Sequence, residues 1–346
     1  FALAHAGLGS AYWAKFKETN DAAWTARAID ASLEALRLNP NQAEVHVALG
    51  LIYQGLGRTP AAVDELQKAL ALHPTDEAHR LIGDIFAKES RTDDAVAAYQ
   101  RAIQLRPNYW QNHNRLAVAL MRAGRYQEAT ASCRRVTELQ PDSAVGFNNL
   151  GVVAMMQGDL AMGLSSLTRA AEISPKASTF SNIGTVQYWN GRFADARHAY
   201  EQAIALKPND ASLVRNLGDA WTGEHNVPEA RKAYVSALEF ARNQLKVNPK
   251  DATTLSLAAI LEAKLDRPVD ARADVDRALA LAPKDAEVYY RSAVVAALAP
   301  DRPAALAALK SALAQGYSRA LMGRDLDLQS LKGLPEFTAL LSTSRQ

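Results

Sequence analysis

The 346-residue chain carries 39 Lys+Arg against 37 Asp+Glu, a formal charge of only +2, so neither a nucleic-acid partner nor an anionic membrane surface is expected. A single cysteine, Cys133, excludes an internal disulfide. No apolar run reaches the roughly 18 residues of a membrane span, so no membrane insertion is expected.

The chain starts at Phe1 already inside a helical pattern, without a charged-then-apolar leader. It reads as a fragment or processed chain, and its compartment, cytoplasmic or periplasmic, stays open. Helix formers dominate throughout. From there a phrase ending in proline recurs: ALRLNP, ALALHP, AIQLRP, VTELQP, AAEISP, AIALKP, LKVNP and ALALAP. The prolines are Pro40, Pro74, Pro107, Pro141, Pro175, Pro208, Pro249 and Pro283, spaced 34, 33, 34, 34, 33, 41 and 34 residues apart. Before each comes a small-residue pair such as Leu49-Gly50, Ile82-Gly83, Leu150-Gly151, Ile183-Gly184 or Leu217-Gly218, then a turn such as GLGR, AGR or NGR. A small residue follows at Ala62, Ala95, Ala129, Gly163, Ala196, Ala230 or Ala271, with an aromatic or apolar residue four later, as at Tyr99, Tyr200 and Tyr234.

Two antiparallel helices per repeat account for this grammar. Glycine and alanine let the paired backbones approach, glycine caps the first helix, and proline stops the second. Such pairs have apolar residues on more than one side and need neighbours to bury them. The period of about 34 resembles that of tetratricopeptide (TPR) repeats. The resemblance implies an all-α, right-handed superhelical TPR solenoid of about nine helix pairs with a C-terminal capping segment. Nine repeats are expected at 2–42, 43–75, 76–109, 110–143, 144–176, 177–210, 211–251, 252–285 and 286–315, with capping helices over 316–346. The first repeat carries about 7 extra residues near Lys15–Trp24. The seventh has a long second helix whose EFARNQLKV stretch should pack on repeat 8. The eighth is degenerate, with Glu262 where the aromatic belongs.

No catalytic constellation stands out, so the chain is not expected to be an enzyme and no cofactor is implied. His46, His79 and His113 share a phase but lack the carboxylate or cysteine company of a metal site, and none is expected. Ser10 lies mid-helix, unlike a nucleophile elbow. Cys133 takes the aromatic slot of a second helix and reads as a buried structural thiol.

In TPR arrays the first helices line a concave groove, and their inward stripe is expected to bind a peptide. That stripe gives Arg80 and Asp84, then Asn114, Arg115, Val118 and Arg122, then Asn148 and Asn149, then Asn182 and Tyr188, then Arg215, Asn216 and Asp219. Asn149, Asn182 and Asn216 occupy one equivalent position and resemble the asparagine ladder of TPR glycosyltransferases and the clamp of chaperone-binding TPRs. The clamp's first lysine is missing, and Arg115 and Arg215 stand in different repeats. An amide both donates and accepts, so it can pair with any peptide backbone, and arginine can hold a carboxylate. The expected function is a scaffold for a protein or peptide ligand. The opening FALAHAGLGSAYW, the middle LRPNYW and the ending GYS…LMGRDLDLQSLKGLPEFTALL resemble the TPR regions C-terminal to bacterial serine/threonine kinases, winged-helix regulators and adenylate cyclases. That resemblance implies an alternative: a sensory or regulatory signalling module attached to, or assembled with, a larger complex.

Overall fold

A computed structural model describes residues 1–342. Among them the chain is all-helical, without strands, and is built of consecutive helix pairs, the architecture of a TPR solenoid. The pairs are α1 (Ala2–Thr19) with α2 (Ala23–Leu38), α3 (Ala43–Gly55) with α4 (Thr59–Leu72), α5 (Asp76–Lys88) with α6 (Thr92–Leu105), and α7 (Trp110–Arg122) with α8 (Tyr126–Leu139). They continue with α9 (Ala144–Gln157) and α10 (Leu160–Ile173), α11 (Ala177–Trp189) and α12 (Phe193–Leu206), α13 (Ala211–Gly223) and α14 (Val227–Val247). The last two pairs are α15 (Ala252–Lys264) with α16 (Pro268–Leu281) and α17 (Ala286–Leu298) with α18 (Arg302–Ala314). A tail follows: α19 (Arg319–Met322), a 3-10 helix over Leu326–Leu331, and α20 (Pro335–Ser342). The chain forms two compact units, Phe1–Asn149 and Leu150–Gln346.

The repeating phrases act where helices meet. A Cβ on Gly83 would fall 2.6 Å from the Tyr99 ring, one on Gly184 2.5 Å from Tyr200, and one on Gly218 2.5 Å from Tyr234. Where the second helix offers leucine, Gly50 meets Leu66 and Gly151 meets Leu167 in the same way. The small residues opposite, Ala62, Ala95, Ala129, Ala196 and Ala271, are wholly buried. First helices end at Gly57, Gly124 and Gly191, each with φ near +72°, a conformation that glycine adopts without penalty. Ser90, His225 and Asp266 hold the same left-handed turn at φ 60°, 59° and 60° without that freedom. Asp210, Asp251 and Asp285 follow their prolines and cap the next helix by accepting backbone N–H bonds.

The irregular repeats are legible in the same terms. The extra residues of repeat 1 lengthen α1 to 18 residues, and Trp13 on it lies against Gly55. Helix α14 runs for 21 residues, against 14 for α12. Of its added stretch, Ala241 and Leu245 are buried against Leu255 and Leu257 of repeat 8, and Phe240 packs on the same cluster. Val247 departs from that expectation: at 87% exposed it contacts little, because it stands on the last turn before Pro249. The degenerate aromatic position holds Glu262, 2% exposed, whose carboxylate takes a bond from Arg242 of the long helix. Arg242 also reaches Asp274 at 2.6 Å. An ion pair thus replaces the missing ring.

Three expectations follow. Replacing Ala129 or Ala196 with leucine overpacks a closed crossing and should cost roughly 1–3 kcal/mol in chemical denaturation; unchanged midpoints in both would refute the register. Ser90→Gly should raise stability by about 1 kcal/mol, because the left-handed penalty disappears from an exposed turn; a loss would contradict that reading. Burial pushes the Cys133 thiol up to about 12, so almost no thiolate exists at pH 8, and iodoacetamide should label the native chain far more slowly than the denatured one.

Candidate functional site

First helices stand side by side within each unit: α1 by α3, α3 by α5 and α5 by α7 in the first, α11 by α13 and α15 by α17 in the second. The stripe residues, three and four apart, therefore share one face.

In the first unit, Arg80 is a knot between first helices and is unavailable as a free cation. Its guanidinium meets Asp76 and the Asn112 Oδ1, both at 3.3 Å, and lies 5.3 Å from the Tyr109 ring centroid. Asn112 is fully buried and also donates to Asp76 and to the Ala102 carbonyl. One repeat on, the Asn149 Nδ2 donates to the Asn114 Oδ1 at 2.8 Å. The pair leaves one amide acceptor on Asn149 and donors on Asn114 without a partner among the described residues. Asn148 beside them is half-buried. Arg115 is 54% exposed, and its Nε lies 3.5 Å from the Asp84 Oδ1. That same oxygen accepts the Tyr99 hydroxyl at 2.7 Å. Gln54, Asp84, Lys88, Tyr99, Arg115, Val118 and Arg122 surround a pocket of about 290 Å³.

In the second unit, Asn182 and Asn216 are half-buried and have no side-chain hydrogen bond among the described residues. Tyr188 meets Phe193 edge-on at 5.4 Å, and burial raises its hydroxyl above the usual tyrosine range. Arg215 and Asp219 are not free: they belong to a buried ion cluster. Arg215 Nη2 lies 3.0 Å from the Asp219 Oδ2 and 3.9 Å from Asp327. The Tyr234 hydroxyl donates to the Asp219 Oδ1 at 2.8 Å, and the Lys264 Nζ reaches the same oxygen at 3.0 Å. Lys264, only 8% exposed in its side chain, also pairs with Asp327 at 2.5 Å. Burial would depress the Lys264 ammonium, yet the facing carboxylates Asp219 and Asp327 hold it well above the ordinary lysine value. Burial likewise works against ionised Asp219, but Lys264 and Arg215 keep its carboxyl below the usual range. Asp327 goes the other way. Burial raises it, Lys264 opposes that only in part, and Asp219 and Asp325 add to it.

The cluster is closed by the tail, which sequence reading assigned to capping alone. Met322, Leu328 and Leu331 are fully buried against Tyr290, Val294 and Leu309, which is a cap. The same segment also crosses the first-helix face. The Tyr290 hydroxyl donates to Asp325, the Arg324 guanidinium sits 5.6 Å from the Trp189 ring centroid, and its Nη2 lies over Gly158. Lys264, Asp325 and Asp327 were missed, and a local signal for part of the cluster existed. Asp84–Tyr99, Thr185–Tyr200 and Asp219–Tyr234 are each 15 residues apart and each hydrogen-bonded, so a polar residue after the repeat's glycine is held by its own second-helix tyrosine. The histidines stay apart: His46 bonds Glu65 at 2.6 Å, and His113 meets the Pro107 carbonyl at 2.7 Å. No helix among the described residues is long and apolar enough to cross a membrane.

A family profile described as tetratricopeptide repeat matches residues 21–77, 47–113, 80–144, 114–178 and 182–244, overlapping windows that cover more than half of the chain. Among curated proteins, the peroxisomal targeting signal receptor of Candida glabrata is 33% identical over 91 residues, 26% of this chain. The match spans only 15% of that receptor's length. Among solved structures, the APC/C hetero-tetramer Cut9–Hcn1 is similar at 15% identity over 91% of this chain and 59% of that one, with a TM-score of 0.50. A tetratricopeptide repeat protein from Parabacteroides merdae is similar at 14% identity over 74% and 98%, with a TM-score of 0.51. At these identities the structural likeness speaks for the fold alone. The profile match sets the family: this chain belongs to the tetratricopeptide repeat proteins.

Proposed function

We propose that this chain is a protein–protein interaction scaffold without catalytic activity, as proteins of its family typically are, and that an extended segment of a partner protein runs along the first helices of the first unit. The observation that carries the reading is the Asn114–Asn149 amide pair. It sits half-buried on adjacent repeats and keeps donors on Asn114 and an acceptor on Asn149 unused among the described residues, the complement of one peptide unit. Asn182 and Asn216 offer similar unpaired amides in the second unit, with Tyr188 beside them. Arg80, Arg215 and Asp219 serve internal bonds, which supports a reading in which Asn114, Arg115, Asn149, Asn182 and Asn216 meet the ligand. The phrases at the two ends of the sequence favour one setting for this scaffold, a regulatory module of a larger bacterial signalling protein. Co-purification of a kinase or transcriptional regulator with this chain from the source cell would test that setting.

Two variants of the full chain test the site, Asn114→Ala/Asn149→Ala and Asn182→Ala/Asn216→Ala. A partner captured from the source cell with the unaltered chain is titrated against each. With about 0.5–1.5 kcal/mol net per lost hydrogen bond, losing the two bonds of the first pair should weaken the partner by roughly 5- to 140-fold. Unchanged affinity in both variants would place binding off this face.

A further inference from the structure

Where one repeat packs on the next, a second helix meets the following first helix, and in the second unit three such joints follow one another. At the joint of α12 and α13 an indole occupies the space. The Arg197 guanidinium carbon sits 4.6 Å from the Trp221 ring centroid, and the same guanidinium donates to Glu201 and Glu224, each at 2.9 Å. At the joint of α14 and α15, Glu262 stands in the tryptophan's place and is met by Arg242 from the long α14. Helices α16 and α17 begin at 268 and 286, as α12 and α13 begin at 193 and 211, so every position of that joint recurs 75 residues on. Arg272 then answers to Arg197 and Asp276 to Glu201, and their bond recurs, with the Arg272 Nε 3.2 Å from the Asp276 Oδ2. The large side chains do not recur: Ala296 stands for Trp221, Ala299 for Glu224, Ser292 for Leu217 and Val275 for Tyr200. A cavity of about 610 Å³ opens there, with Arg272, Val275, Leu279, Ser292, Ala296 and Ala299 in its wall, a volume within the roughly 300–1,000 Å³ of small-molecule sites. The arginine has lost its cover: the side chain of Arg272 is 67% exposed, against 27% for Arg197.

We infer that the cavity between α16 and α17 binds a small planar aromatic molecule that carries an amine, its ring in the place that Trp221 holds one joint earlier in register and its ammonium at the acidic rim. The ring is specified by the internal counterpart. A guanidinium stacks on planar aromatic faces, Arg197 does so on Trp221, and Arg272 is anchored by the same kind of carboxylate with no ring beneath it. Val275, Leu279, Val295 and Leu298 give the cavity apolar walls, so a ring gains by leaving water. The charge is specified by the rim. Asp266, Asp276 and Asp301 line the cavity against one cation, Arg272, which favours an ammonium and repels a carboxylate. None of the residues proposed to meet a partner segment takes part, so the site stands independently of the scaffold reading.

The test titrates the full chain with tryptamine, indole and indole-3-acetate, three ligands with one ring and different charge, by isothermal titration calorimetry at physiological salt. Tryptamine should bind at a single site and at least tenfold more tightly than indole-3-acetate, with indole between them. Ala296→Trp restores the residue of repeat 7; it should fill the cavity, weaken tryptamine at least tenfold and raise the thermal midpoint. Should that variant fail to fold, Arg272→Ala decides, because it alters an exposed side chain; it should weaken tryptamine and indole several-fold. Asp266→Asn keeps a residue suited to the left-handed φ of 60° and should weaken tryptamine while leaving indole within twofold. No tryptamine binding up to millimolar ligand overturns the inference, and so does tryptamine binding that is unchanged in Arg272→Ala or in a folded Ala296→Trp chain. Indole-3-acetate binding as tightly as tryptamine overturns it as well.

Discussion

The contact on which the rest of the structure depends is a side chain laid directly on a glycine. With a tyrosine ring or a leucine occupying the space a Cβ would need, the two helices of a repeat are locked at one spacing and one register. No larger residue fits at Gly83, Gly184 or Gly218 without moving the second helix. Alanine answers from the other side at Ala62, Ala95 and Ala129, all without exposed surface. Because a close-packed contact tolerates little change of volume, each repeat reproduces the last. The first helices then come to stand side by side with equivalent residues on one face. The shared first-helix face is thus a consequence of packing inside each pair.

The same contact explains what was legible in the sequence. Leu-Gly, alanine, aromatic and proline lie within one period of about 34 residues, so pair architecture, the long α14 and the burial of Cys133 could all be read from local spacing. The glutamate at position 262 could be recognised as a departure, but its partner could not, because Arg242 sits on the extra turns of a neighbouring repeat. The tail was harder still. Its leucines announced a cap, and Leu328 and Leu331 do bury themselves on the final pair. That Asp327 also meets Lys264, 63 residues earlier, is set by where the three-dimensional array brings the chain end, and no periodic signal encodes it.

The candidate site divides along the same line. Periodicity placed Arg80, Asn114, Arg115, Asn149, Arg215 and Asp219 on the first-helix stripe, because stripe membership is a matter of helical phase. Whether each is available is a matter of third parties. Arg80 is taken by Asn112, a buried amide that only repeat 4 supplies, and Arg215 by Asp219 and Asp327. Arg115 stays exposed because, among the described residues, only Asp84 pairs with it. Neighbouring positions of one stripe hold a structural arginine in one repeat and an exposed one in the next.

The buried cluster itself argues against reading its charges as a source of stability. Lys264 and Arg215 face three acids once Asp325 and Asp327 arrive, and taking ions out of water costs several kcal/mol each unless they are well paired. The arrangement concentrates that cost on one group. Asp219, between two cations and a tyrosine hydroxyl, is held ionised, whereas Asp327 is pushed towards its protonated form by burial and by the other two carboxylates. What holds the tail in place is therefore chiefly its apolar half, Met322, Leu328 and Leu331. The acidic half is fitted to cations that the first helices present in any case.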